Sequence, residues 1–110
     1  MDTEQAQNET SAKIAAINDE FRRNMQNCTV TRGVASLVPF MNEIFATVRD
    51  YTNFNEDNDP YGEHDFGSLS VQGKKIFWKI DYYDEALGKW CDPLDERCRR
   101  HLTIMLAEEY

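Results

Sequence analysis

Residues Phe66–Tyr83 constrain the fold of this chain more than any other stretch, because their apolar positions recur with a period of two. Ile76, Trp78, Ile80 and Tyr82 alternate with Lys75, Phe77, Lys79 and Asp81, the pattern of a strand with one buried face. Gln72-Gly73 separates this run from Phe66–Val71 and reads as a two-residue hairpin loop. The loop fixes a register in which Val71 faces Lys74, Leu69 faces Ile76, Ser68 faces Phe77 and Gly67 faces Trp78. Glycine opposite tryptophan leaves room for the indole. Carried outward, the same ladder sets His64 opposite Asp81 on the other face.

Upstream, the period changes. Ile14, Ile17, Phe21 and Met25 form the apolar stripe of an amphipathic helix that starts near Thr10 or Ser11, with Lys13, Glu20, Arg22 and Arg23 on its other faces. Residues 1–9 lack apolar anchors and read as a flexible tail, leaving 10–110 as one domain. Cys28–Arg32 is short and β-branched, an edge strand or an extended linker. Pro39 opens a second helix to Asp50, with Phe40, Ile44, Phe45, Val48 and Tyr51 on its apolar stripe. Tyr51–Gly62 is loop, and Asp59-Pro-Tyr-Gly62 a tight turn. Near the C-terminus, Leu102, Ile104 and Leu106 alternate again, favouring a third strand near 100–107. The expected fold class is α+β: two N-terminal helices packed on a small antiparallel sheet made of the hairpin 66–83 and that C-terminal strand.

Twenty acidic against twelve basic residues give a net charge of −8. This balance disfavours direct nucleic-acid binding, which draws its affinity from a basic footprint. It suits a solvated surface, or a protein that presents carboxylates to a basic groove. The polar N-terminus is no signal peptide, no apolar run is long enough to cross a bilayer, and a cytoplasmic location is expected. Cys28, Cys91 and Cys98 have no zinc-like spacing and read as free thiols.

The stretches NDPYGEHDFG (58–67) and FWKIDYYD (77–84), then Asp92-Pro-x-Asp95 and the C-terminal LTIMLAEEY, resemble an uncharacterised bacterial family, a domain of unknown function. The resemblance spans Ile14 to Tyr110. It implies a plasmid or prophage-like setting and no particular activity. The chain departs from the family pattern at Gly88–Cys91 and Cys98–His101.

Two candidate sites follow. Asp57, Asp59, Tyr61, Glu63, Asp81, Tyr83 and Asp84 combine carboxylates with aromatics, the chemistry of a protein interface. Glu63, His64, Asp65 and Asp81 could instead ligate a divalent ion or support acid–base chemistry at the hairpin mouth. Asp57-x-Asp59-x-Tyr61-Gly62 matches only the opening of a calcium loop, since Ser68 stands where its closing glutamate belongs. No catalytic nucleophile or cofactor motif stands out. The leading expectation is a small, acidic, non-enzymatic interaction protein of a mobile element with a protein partner. An inhibitor of a host nucleic-acid-targeting defence complex is its most concrete form. The alternative is a metal-binding or hydrolytic domain built on the His64 cluster.

Overall fold

The computed structural model describes residues 3–110. Helix α1 (Thr3–Asn24) is followed by strand β1 (Cys28–Val30), a one-turn helix α2 (Arg32–Ala35) and helix α3 (Met41–Arg49). Three longer strands complete the chain: β2 (Phe66–Val71), β3 (Lys74–Asp84) and β4 (Cys98–Leu106). The fold is α+β. Helices α1 and α3 are the two expected ones, with Pro39 placed in a single 3-10 turn, Val38–Phe40, that leads into α3. Helix α1 begins well before Thr10. Part of the region read as a tail, Thr3–Glu9, is therefore helical, while residues 1 and 2 lie outside the described residues.

The sheet has the order β1-β4-β3-β2. The hairpin adopts the expected register, with Val71 opposite Lys74, Leu69 opposite Ile76, Ser68 opposite Phe77 and Gly67 opposite Trp78. A side chain at Gly67 has no space, because an added Cβ would overlap the indole Nε1 of Trp78. Gln72 and Gly73 both take positive φ, at 52° and 76°, as the tight turn of a right-twisted hairpin requires. Strand β4 pairs antiparallel with β3, but β1 runs parallel to β4, so the sheet is mixed and not purely antiparallel. Between β1 and β4 the chain runs through α2, α3 and the β2–β3 hairpin.

All three helices contribute to one face of the sheet. Val34, Ile44, Val48 and Tyr51 meet Leu69, Val71, Ile76, Trp78, Ile80, Leu102 and Ile104 in a continuous core. Arg22 belongs to this core rather than to the solvent face of α1. It is 1% exposed, with its Nε donating to Val48 O at 2.9 Å and its Nη2 to Tyr51 O at 3.0 Å. Val48 lies in the last turn of α3 and Tyr51 just past its end, so the guanidinium adds hydrogen bonds and a favourable positive charge at a helix C-terminus. Among the described residues no helix is long and apolar enough to cross a membrane.

Candidate functional site

The positions of the sequence-derived site residues follow from how Tyr51–Asp65 is anchored. Asp59 is buried, and its Oδ1 accepts the backbone N–H groups of Glu63 and His64 at 3.0 and 3.1 Å. It therefore shapes the turn and is not a free surface carboxylate. Glu63 accepts the Tyr82 hydroxyl at 3.0 Å, and the same hydroxyl accepts Asn18 Nδ2 at 2.8 Å. Burial pushes the Tyr82 phenol upward, so it stays a neutral donor.

His64 does not pair with Asp81. The ladder ends at Asp65, whose carbonyl accepts Ile80 N, and His64 adopts φ of 57° just after Gly62 at 69°. This left-handed turn carries the imidazole out of register and beneath α1. There its Nδ1 lies 3.0 Å from Asp19 Oδ1, its Nε2 lies 3.7 Å from Asp59 Oδ2, and its ring stacks on Phe54 at 3.8 Å. Asp81 instead stands opposite His101 on β4 and forms a 3.0 Å ion pair with Lys79. The proposed ligand set Glu63, His64, Asp65 and Asp81 therefore does not converge. Among the described residues no group of three or more His, Cys, Asp or Glu side chains is arranged to hold a metal ion. Asp65 is pushed up to about 6, first by burial and then by the charge of Glu63.

Tyr61 remains free, 79% exposed beside an open cleft of about 540 Å³ that Ala12, Ala15, Asp19 and His64 also line. Asp57 is exposed on the same loop, whereas Asp81 lies on the helix-free face of the sheet. Tyr83 is half-buried, and its hydroxyl accepts Asn27 Nδ2. Asp84 is buried and organises the next loop, its Oδ1 accepting Ala86 N at 3.0 Å and Leu87 N at 3.3 Å. The seven residues read as one interaction surface thus divide between structural carboxylates and exposed groups on different faces.

The connection from Asp84 to Arg97 carries a feature that the sequence left unassigned. Three aspartates turn it: Asp84 as above, Asp92 accepting Leu94 N at 2.9 Å, and Asp95 accepting Arg97 N at 2.8 Å. A bridge between Asp84 and Lys89 and a Gly88 N–H to Asp84 O bond of 2.7 Å close its first half. Cys91 is buried under the loop, and burial pushes the neighbouring strand residue Cys98 up, which keeps that thiol protonated. Held this way, the loop exposes Leu87 by 61% and Trp90 by 69%, with Leu94 also in solvent. Glu85, Asp92 and Glu96 are exposed around them. Periodicity gives no sign of this arrangement.

The family model described as "Protein of unknown function (DUF3768)" matches residues 30–109. The chain belongs to this family. The match runs from the end of β1 through β4, so it takes in the hairpin, the Asp84–Arg97 loop and the His64 turn of the DUF3768 domain. All of α1 precedes it, including Asp19 and Arg22, which pack onto that turn and onto the end of α3. No curated protein and no solved structure matches the chain.

Proposed function

We propose that this DUF3768 protein is a non-enzymatic interaction module that docks a basic protein partner through the Asp84–Arg97 loop. The observation that carries this reading is the pair Leu87 and Trp90, held in water by a loop that three aspartates turn. Leaving such side chains exposed has no stabilising role in the monomer, whereas tryptophan is prominent among residues that dominate binding energy. The surrounding carboxylates and the net charge of −8 favour a partner with a basic rim around an apolar pocket, and they speed its approach. A nucleic-acid-targeting defence complex has such a groove. Inhibition of one on behalf of a mobile element is the most concrete form of the proposal, in a cytoplasmic setting.

Affinity capture with the wild-type protein, followed by quantitative binding of each captured protein to Trp90→Ala, tests the reading. A partner whose affinity falls at least tenfold supports it. Partners that bind Trp90→Ala as tightly as wild type overturn it.

A second, hydrolytic reading rests on one arrangement. Asp19 holds His64 Nδ1 while the ring lines an open cleft, as a general base requires. Its test is turnover of simple ester and phosphoester substrates by wild type but not by His64→Gln. Equal or absent turnover rejects it.

A further inference from the structure

The face of the sheet turned away from the helices has a composition unlike the rest of the chain. Outward positions on β3 are Lys75, Phe77, Lys79, Asp81 and Tyr83, since Ile76, Trp78 and Ile80 point into the core. The pairing sets Phe66 beside Lys79, Ser68 and Met105 beside Phe77, and Arg99 beside Tyr83. Phe66 and Phe77 lie 5.1 Å apart, and Tyr110 closes on them at 6.0 and 5.8 Å in edge-on geometry. The last turn of the chain is fixed for this purpose by Glu109, whose carboxylate accepts Gly33 N at 3.0 Å and Leu106 N at 2.8 Å. Lys75 Nζ sits 5.5 Å from the Phe77 centroid.

Charge on this face also runs against the chain's total. Strands β3 and β4 place Lys75, Lys79 and Arg99 here, against Asp81 and the Glu85 carboxylate just past β3, in a protein of net charge −8. Asp81 and Glu85 hold Lys79 and Arg99 at 3.0 and 3.6 Å. Both pairs are exposed, so each is worth little and yields readily to a phosphate. Total charge disfavours nucleic acid, but the acidic excess lies largely in the Tyr51–Asp65 and Asp84–Arg97 loops. A local field is what a ligand meets at contact.

We propose that this open face binds single-stranded nucleic acid. Unstacked bases would lie on Phe66, Phe77 and Tyr110, while Lys75, Lys79 and Arg99 meet the phosphates. Stacking on aromatic side chains across an open sheet, flanked by cations, is the general chemistry of single-strand recognition. A duplex hides its base faces, and this flat surface offers no helix or ribbon to enter a groove. An acidic protein would use the cations and leave the ring faces without a specific role. The proposal does not depend on the Trp90 loop, which lies on a different segment.

Fluorescence anisotropy tests it, with labelled oligo(dT) and oligo(U) of about 12 nucleotides, a duplex of similar length and polyglutamate, at low salt. The expected result is binding to single strands that weakens with added salt and exceeds binding to the duplex. Lys75→Glu/Lys79→Glu and, separately, Phe66→Leu/Tyr110→Ser should each weaken it about tenfold. The second pair keeps apolar bulk at Phe66 and changes only an exposed terminal ring, so the fold is retained, as thermal unfolding will verify. The proposal is overturned by no single-strand binding at low salt, by a duplex bound as tightly, or by affinity that the aromatic pair leaves unchanged. Polyglutamate bound as tightly as oligo(dT) also overturns it, reducing the face to a nonspecific anion site.

Discussion

Arg22 lies over the indole of Trp78, its guanidinium carbon 5.0 Å from the ring centroid. The same guanidinium holds the terminal carbonyls of α3 and contacts Asp19 at 3.0 Å, so one side chain joins α1, α3 and the centre of the sheet. Its charge is buried but fully partnered, which is the condition under which a buried ion is tolerated.

Arg22→Ala should therefore destabilise the protein by about 3 kcal/mol, because the Tyr51 carbonyl loses its donor, the Val48 carbonyl loses one of two, and the indole loses a packed neighbour. Urea unfolding measures this. Arg22→Lys should recover less than half of the loss, since an ammonium cannot reproduce the fork that reaches Val48 O and Tyr51 O together.

Gly67→Ala tests the hairpin register at its tightest point. An added methyl meets the Trp78 indole, which is fully buried and has no room to turn. A loss of about 2 kcal/mol is expected from overpacking. The same substitution at Gly88, where φ is 64° but nothing stands within contact distance, should act only through backbone strain of about 1 kcal/mol.

Asp65 makes stability depend on pH. Its folded value is raised to about 6 from an ordinary 3.8. Between these values the folded state holds a proton that the unfolded chain has released, so stability falls as pH rises from about 4 to about 6 and then levels. Asp65→Asn should remove this slope. Because the carboxylate is partly solvated, the expected gain at pH 7 is on the order of 1 kcal/mol. Thermal unfolding of both proteins across this range provides the measurement.

The two tryptophans should report separately. Trp78 is fully buried and Trp90 is 69% exposed, so acrylamide should quench one population strongly and the other weakly. Trp90→Phe should leave only the protected population.

The hairpin and β4 were legible in the sequence because half-buried strands carry a period of two, and Gln72-Gly73 admits few turn geometries. Strand β1 was legible only as one of two options, an edge strand or a linker, since three residues carry no periodicity and its parallel partner is distant in sequence. Arg22 was assigned to the solvent face on its residue type alone, although Phe21 and Met25 place the adjoining arc of α1 against the core. The His64–Asp81 pairing failed for a local reason: Gly62 and His64 turn left-handed, and ladder extrapolation assumes extended backbone. The surface aspartates misled in a consistent way. Asp59, Asp84, Asp92 and Asp95 each bind backbone N–H groups nearby, so a dense run of aspartates recorded loop architecture as much as surface charge. Trp90 had no such signature, because exposure of a single side chain depends on how the whole loop closes.

The central claim is that Trp90 anchors a protein partner. Quantitative capture from the native host should be run in parallel with wild type, Trp90→Ala and Tyr61→Ala, the last altering an equally exposed ring elsewhere. The expected result is a specific partner that Trp90→Ala loses and Tyr61→Ala retains, with all three proteins unfolding at closely similar temperatures. The same partners retained at equal yield by Trp90→Ala would contradict it.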